Sequence, residues 1–537
     1  MPDVTDAISP RGDGFAPLPP ATKDPEKIRS YLSDESSAMS GSAERVYFPE
    51  NAGQVSAVLR AAAREEKKVT VSAAGTSITG ARVPLSGGWV LSIERIRRIV
   101  RDEGADVVPA GFVPVRHRDM SFYLNPETRQ AIAPAGITLN EFNEALARYN
   151  LVYPPDPTEM TAMLGGTVAT NASGARSFHY KPTRRWVRGL EVVLPTGEPA
   201  WMRRGERRAR KGVLSIETAA GTIPVPLPRA YPVFTSKNAA GLYLAEGMDP
   251  VDLFIGSEGL LGVITAVQVG LVEIPRDVLT CVAFFGSIEG GLAFVDELRE
   301  SAGATREAPL SLEYFDRRAL SFLRDSFSEI PEKAAGAVLF EFEYDRAARH
   351  NPYPARTALE PWIALLEEHR AISSWNVTGR DVSRVREFRH ALPEAVNTYV
   401  RARVGKLGTD MAVPARHFRT MVEAYEKADS CGVKTVFFGH IGDCHLHLNF
   451  LPENREELAV ARTKYLELAR LAVHLGGTIS AEHGVGKKTI EDEEGHSIPY
   501  LEVMLGAEGL RAIHAFKKEL DPHFTLNPGN MVPEGYC

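Results

Sequence analysis

Two periodicities divide this chain. Over residues 54–68, Val55, Val58, Leu59 and Ala62 recur at helical spacing, and the apolar stretch 68–72 after them predicts a short strand. A short helix is expected over 140–149, opened by Thr138 or Asn140 as its cap. Residues 187–197, VRGLEVVLPTG, predict a strand ending in a turn, and 253–265, LFIGSEGLLGVIT, predict another. From 276 onward the helices are longer. Apolar residues keep helical spacing over 355–369, whereas 337–344, AVLFEFEY, alternates like a half-buried strand. Residues 434–441, rich in Val and Phe, predict a strand, Gly442-Asp443 a turn, and 445–450 a second, alternating strand. A helix follows from about 453 to 475, stopped by Gly476-Gly477.

The hairpin at 434–450 carries the first candidate chemistry. Strand alternation puts His445, His447 and Asn449 on one face and Leu446, Leu448 and Phe450 on the other. Pairing of the two strands would bring His440 near His447. Imidazoles and an amide on one face are costly to bury without a partner, and a divalent metal would use them. In GGTISAEHGVG, 476–486, Glu482-His483 stands among small residues where backbone can approach a ligand. His440, His447 and Glu482 make a His₂-carboxylate set with open positions. Spacing alone leaves equally open two hydrogen-bonded core histidines and a surface Glu-His pair. Residues 73–81, AAGTSITGA, follow a strand and form a nest suited to a pyrophosphate, although an ordinary small-residue turn has the same composition. GGTVATNASG, 165–174, suits backbone contact with a flat ligand and follows the rigid turn Pro154-Pro155-Asp156-Pro157.

Composition narrows the class. With 537 residues, two or three structural units are expected. Hydrophobic content of 44% beside 24% charged residues describes a soluble globular protein, and a net charge of −7 gives no support to nucleic-acid binding. Cys281, Cys431, Cys444 and Cys537 are scattered and form no CxxC pair, so neither an iron–sulfur cluster nor a disulfide framework is expected, and a reducing cytoplasm fits. Residues 1–20 lack the basic and apolar run of a signal peptide, and Arg11-Gly12-Asp13 is read as a chance tripeptide. Nowhere do about eighteen apolar residues run together to span a membrane. WMRRGERRARK, 201–211, is a basic island read as a solvated loop, with docking of an acidic partner as the sharper alternative.

GHIGDCHLHLNF and GGTISAEHGVG resemble the C-terminal half of FAD-linked oxidases of the vanillyl-alcohol oxidase type, in the branch of D-lactate dehydrogenases, glycolate oxidase flavin subunits and D-2-hydroxyglutarate dehydrogenases. The resemblance runs from about 45 to 533. It implies an α+β fold: a disordered tail over 1–40, a two-subdomain FAD-binding domain over 41–275, an antiparallel-sheet cap domain over 276–520, and a segment 521–537 returning to the FAD domain. It implies FAD contacts at Gly75, Thr76, Ser77, Thr79 and Gly80, matching the family's GTSxxG. Further contacts are implied at Pro155, Gly165, Gly166, Asn171, Ser173, Gly174, Ile264, Asn527 and Gly529. Ser72 stands where an Arg is usual, Ala73 and Ala74 where Gly is usual, Leu260 replaces Thr in the GSEGTLGVIT segment, and Asn530 replaces Lys in NPGK. Loop 73–81 contains no His, so bound rather than covalently tethered FAD is expected.

The same resemblance implies a divalent metal on His440, His447 and Glu482, with Zn²⁺ ahead of Mn²⁺ and Fe²⁺. Asn449 is placed beside the ligands or against the substrate. Cys444-His445 replaces the usual Gly-Asn, which makes His445 a competing ligand. Arg389, on a cap helix over 385–397, matches the position that holds a substrate carboxylate. Pro393 stands where the hydroxyglutarate enzymes carry Thr, which counts against a dicarboxylate. Lys406 and Asp410 are further pocket positions, and His483 matches the base. The implied activity is FAD-dependent oxidation of a D-lactate-like or glycolate-like D-2-hydroxy acid to the 2-oxo acid. Electrons would leave to a quinone, an electron-transferring flavoprotein or an iron–sulfur subunit. The implied setting is the cytoplasm or the inner face of the membrane, with room for a homodimer. The alternatives are a D-2-hydroxyglutarate-type dehydrogenase, an alkyl-dihydroxyacetone-phosphate synthase-like enzyme, whose run of histidines is absent because only His483 follows Glu482, and a non-catalytic flavin subunit.

Overall fold

A computed structural model of the chain describes residues 16–36, 38–99, 108–229, 231–275, 277–301, 308–344, 354–378, 382–492 and 494–536. The tail expected over 1–40 is corrected in part: residues 1–15, with Arg11-Gly12-Asp13, lie outside the described residues, but 16–36 are built into the fold. Ala21–Thr22 pairs antiparallel with Arg45–Tyr47, Asp24 caps the turn Pro25–Ile28, and Ile28 packs with Val46, Phe48 and Val90. The Pro-rich composition conceals that apolar anchor.

The parallel strands Arg45–Tyr47, Trp89–Ser92 and Val69–Ser72 lie side by side. Helix Ala52–Arg64 connects the first to the third in sequence; Asn51 caps it, and it buries Val55, Val58, Leu59 and Ala62 as its spacing predicts. A six-stranded antiparallel sheet follows, in the order Pro199–Arg203, Val187–Val193, Val263–Gly270, Gln130–Pro134, Met120–Asn125, Val113–His117. Thr138 and Glu141 form a capping box at helix Leu139–Ala147. Residues 253–265 are not one strand. Asp249 caps a helix Pro250–Phe254, then Gly256, Glu258 and Gly259 take left-handed backbone before the strand starts at Val263. Left-handed residues cannot be extended ones, and apolar content does not report the difference. The basic island begins on an edge strand, and three of its arginines are paired: Arg203 with Glu206, Arg204 with Asp252 and Arg207 with Glu217.

The third sheet is antiparallel, in the order Ala371–Thr378, Val278–Phe285, Gly336–Glu343, Ser311–Asp316, Thr435–Gly439, His445–Phe450, Leu407–Gly408, with Met411–Ala412 also on His445–Phe450. Both faces are covered: Cys281, Ala283 and Phe285 join one apolar core, while Val282 and Phe284 pack with Phe388, Leu392 and Val396 of helix Val382–Val400. The chain then returns to the first sheet, where Asn527 N–H donates to Val69 O and Val71 N–H to Asn527 Oδ1. No described helix is long and apolar enough to cross a membrane.

Candidate active site

The hairpin forms as its alternation predicts. Phe438 pairs with His447 and Phe437 with Leu448, around a turn at Ile441–Asp443 that closes through Cys444 in left-handed conformation. His440 leaves the first strand just before the turn, and its ring lies 5.9 Å from that of His447. Glu482 enters from the loop after helix Arg455–His474, which Gly476 ends with φ +77°.

His440 Nε2 is 3.2 Å from one Glu482 oxygen and His447 Nε2 3.2 Å from the other. Their outer nitrogens are engaged elsewhere, His440 Nδ1 with Glu313 Oε1 at 2.6 Å and His447 Nδ1 with the Thr409 carbonyl at 3.0 Å. Outer partners of this kind turn the inner lone pairs toward a common centre, and the donor atoms lie within 4.8 Å of one another. This donor set fits a divalent ion. His445 offers a nitrogen to the same group, with Nδ1 3.3 Å from Lys237 Nζ and Nε2 2.8 Å from Asp410.

Electrostatics match the geometry. Burial works against a charge on His440, but Glu313 and Glu482 raise its pKa to about 9. Burial, with Lys237 and His447 beside it, lowers His445 to about 3, so it is neutral. Burial disfavours the Glu482 carboxylate, yet Lys237, His440 and His447 hold its pKa well below the usual carboxylate range. Lys237, which the sequence did not single out, donates to Glu482 Oε2 at 2.9 Å and is itself buried.

His483 follows Glu482 and stacks on the His447 ring. Its Nδ1 lies 3.1 Å from Asp410 Oδ2, which also accepts the His483 backbone N–H and the Ser480 hydroxyl. That contact fixes the ring and assigns the proton to Nδ1, leaving the Nε2 lone pair, 3.6 Å from Glu482 Oε1, as the base in the neutral form. Burial opposes the charged form of His483, and Asp410 more than offsets it, so its pKa is raised. Asp410 was named only as a pocket position; it is buried and holds three elements of the site.

A cavity of about 330 Å³ connects this cluster to the glycine-rich loops. Gly75, Thr76, Ser77, Gly165, Gly166, Ser173, Gly174, Ile264 and Asn527 line it, as do His440, Glu482 and His483. A Cβ on Gly174 would lie 1.9 Å from the Asp156 carbonyl, and one on Gly165 2.6 Å from Ala135 Cβ, so the walls need bare backbone there. These flat, small-residue walls fit a flavin. Five expected contacts do not line the cavity. Thr79 is buried beside Ser77, the Gly80 N–H is taken by Asp34, and Pro155 is buried next to the wall. Asn171 bonds Asn238 and Arg184, and Gly529 lines a different hollow. They shape the wall, because tight turns bury the residues between those that face a ligand.

Arg389 lines a second cavity of about 390 Å³, with Asp156, Arg176, Glu313, Glu341, Arg386 and His390. The two cavities share Pro157 and Thr158. Glu313 links Arg389, 3.9 Å away, to His440. Alternation placed Glu341 outward, but it pairs with Arg176 at 2.9 Å. Asn449 donates its amide to the His447 carbonyl and lies under Gly408 of the neighbouring strand, lining neither cavity, which places it beside a candidate ligand. Lys406 lines neither cavity and is exposed. Glu313 had a readable signal, a lone acid between Leu312 and Tyr314 in an apolar strand; Lys237 had none.

Comparison with known proteins agrees with this geometry. Residues 43–203 match the FAD binding domain and residues 274–531 match the FAD linked oxidases, C-terminal domain. Glycolate oxidase subunit GlcD of Bacillus subtilis is 27% identical over 91% of this chain and 88% of its own. D-lactate dehydrogenase of Archaeoglobus fulgidus is 27% identical over 91% of both. D-2-hydroxyglutarate dehydrogenase of Xanthomonas citri is 28% identical over 90% of this chain and 88% of its own. Among solved structures, an alkyldihydroxyacetonephosphate synthase superposes with a TM-score of 0.61 at 13% identity, covering 95% of this chain and 83% of that one, a likeness of fold.

Proposed function

The chain belongs to the FAD-linked oxidases, flavin-dependent oxidoreductases with an FAD-binding domain and the C-terminal domain that bears the family's name, and from that premise we propose that it oxidises a D-2-hydroxy acid to the 2-oxo acid. The observation that carries the reading is the single cavity reaching from the backbone of 75–77 to His440, Glu482 and His483. Bound FAD, held without a covalent link because loop 73–81 offers no histidine, supplies the two-electron acceptor. A divalent ion on His440, His447 and Glu482, Zn²⁺ ahead of Mn²⁺ and Fe²⁺, supplies polarisation of the substrate hydroxyl.

The protein's own groups do the rest. Arg389 grips the carboxylate with a fork that Lys cannot imitate, and Glu313 ties its position to that of His440. His483 Nε2 takes the hydroxyl proton, and Asp410 stabilises the imidazolium that results. Lys237 keeps Glu482 ionised and oriented. We divide the chain as an FAD domain over 41–275, a cap over 276–520 and a return over 521–537. Bound FAD would need an external acceptor for its electrons, a quinone, an electron-transferring flavoprotein or an iron–sulfur subunit.

A D-lactate-like or glycolate-like acid is the first reading of the substrate, in line with Pro393 on the cap helix. A dicarboxylate is the second, favoured by Arg386 and His390 beside Arg389 in the adjoining cavity. Anaerobic mixing of the flavin-loaded protein with D- and L-2-hydroxy acids tests the reading: D-acids should bleach the flavin band at about 450 nm. No bleaching by any D-2-hydroxy acid, in protein that dithionite does bleach, would overturn it.

A further inference from the structure

Among the residues lining the FAD cavity, Arg82 is the one Arg or Lys. It lies just past the glycine-rich loop and folds back over it: a Cβ built on Gly75, which has φ +89°, would fall 1.8 Å from Arg82 Nη1. The guanidinium therefore rests on the first turn of the loop, in space that only a glycine leaves free. Nη2 donates to the Ser30 carbonyl at 3.0 Å, and the guanidinium stands 5.5 Å from the centre of the Tyr31 ring. Nε is buried and donates to nothing. Among the described residues no carboxylate reaches ion-pair distance of it; Asp34, the nearest acid to the loop, spends its oxygens on Gly80 N–H and on Ser36. A half-buried cation whose Nε is a buried, unused donor favours an anion beside it.

Lys487, which packs against the loop, is committed. Lys487 Nζ donates to Asn530 Oδ1 at 2.6 Å and to the carbonyls of Gly80 and Ala81. On the entering side, Ser72 brings no charge, and its hydroxyl only reaches the Ala73 carbonyl. The loop thus offers backbone donors to a dianion, with acidic Asp34 and Glu35 at its back and no free positive charge of its own.

We propose that Arg82 binds the pyrophosphate of FAD, supplying from the exit side of the loop the charge that Ser72 leaves off its entry side. The fork geometry of guanidinium suits phosphate oxygens, and Nη1 is the donor that lies against the loop at Gly75. The proposal rests on FAD binding and is independent of the hydroxy-acid reading.

The test compares flavins with and without phosphate. Affinities of FAD and riboflavin for the flavin-stripped full chain are measured by fluorescence quenching in wild type, Arg82→Ala and Arg82→Lys, with melting temperatures as a check on folding. Arg82→Ala should narrow the preference for FAD over riboflavin by about ten- to a hundredfold, the scale of a lost charge-assisted contact. Arg82→Lys should recover part of it. General damage to the fold would weaken both flavins alike and leave their ratio unchanged. A ratio within about twofold of wild type in Arg82→Ala, or no recovery in Arg82→Lys, would overturn the proposal. Neither result bears on turnover, so the substrate reading stands or falls separately.

Discussion

Three imidazoles face the same centre, yet their outer partners assign them different work. His447 is held by a neutral backbone carbonyl and His440 by a buried carboxylate, while His445 has a cation at one nitrogen and an acid at the other. His447→Ala removes one donor of the proposed set, and Lys237 and Asp410 beside His445 oppose its taking the vacant place. Elemental analysis should find most of the divalent metal gone while FAD stays at its wild-type stoichiometry; unchanged metal content would exclude His447 as a ligand. His483→Ala should keep both FAD and metal, because Asp410 retains Ser480 and the backbone N–H of 483. Anaerobic flavin reduction should then slow at least about a hundredfold, the usual scale of a lost general base. Reduction at the wild-type rate would move the proton to another acceptor.

At the scale of elements, the site depends on loops tied together by one acid. Glu258, itself left-handed, accepts Val485 N–H at 2.8 Å and Gly486 N–H at 2.7 Å, while its carbonyl takes the amides of Asn527 and Asn530. It thereby holds the loop bearing Glu482 and His483 against the flavin wall. Burial raises its pKa to about 7 from an ordinary 4.5. Between those values the native state keeps a proton that the unfolded chain releases. This contribution to stability is therefore full below about pH 4.5 and is lost as pH rises through about 7. Glu258→Gln cannot ionise, so the melting temperature of the variant minus that of wild type should climb across this window and level off above it. A difference that stays flat with pH would show that Glu258 titrates normally. Helix Val382–Val400 makes a related point: Pro393 cannot donate to the carbonyl of Arg389 four residues earlier, so the turn carrying the candidate carboxylate grip lacks one helix bond.

Over the whole molecule, segments far apart in the sequence meet beside the flavin cavity, Val71 with Asn527. Asn527 accepts from Val71 N–H at 2.6 Å and donates to Glu258 O at 2.8 Å, bridging the first sheet and the loop before strand Val263–Gly270. Asn527→Ala strands the Val71 N–H in the interior and leaves the Glu258 carbonyl to Asn530 alone, a cost of about 1–3 kcal/mol. The variant should melt earlier and release flavin at lower temperature; full FAD retention at the wild-type melting temperature would show that the returning chain is dispensable. Much of this architecture was legible beforehand. Helix Ala52–Arg64, the Thr138 cap, the 435–450 hairpin and the shared face of His445 and His447 follow from spacing, because helical and strand periods are properties of neighbouring residues. That His440, His447, Glu482 and His483 gather in one place was legible through two short motifs rich in glycine and histidine. Tertiary structure alone decided that Asn449 turns away beneath Gly408, that Glu341 points inward to Arg176, and that 253–265 breaks into helix, turn and strand. It alone brought Lys237 to Glu482, 245 residues further along the chain. Buried charges find their partners through space, and no local period records which distant carboxylate a lysine will neutralise.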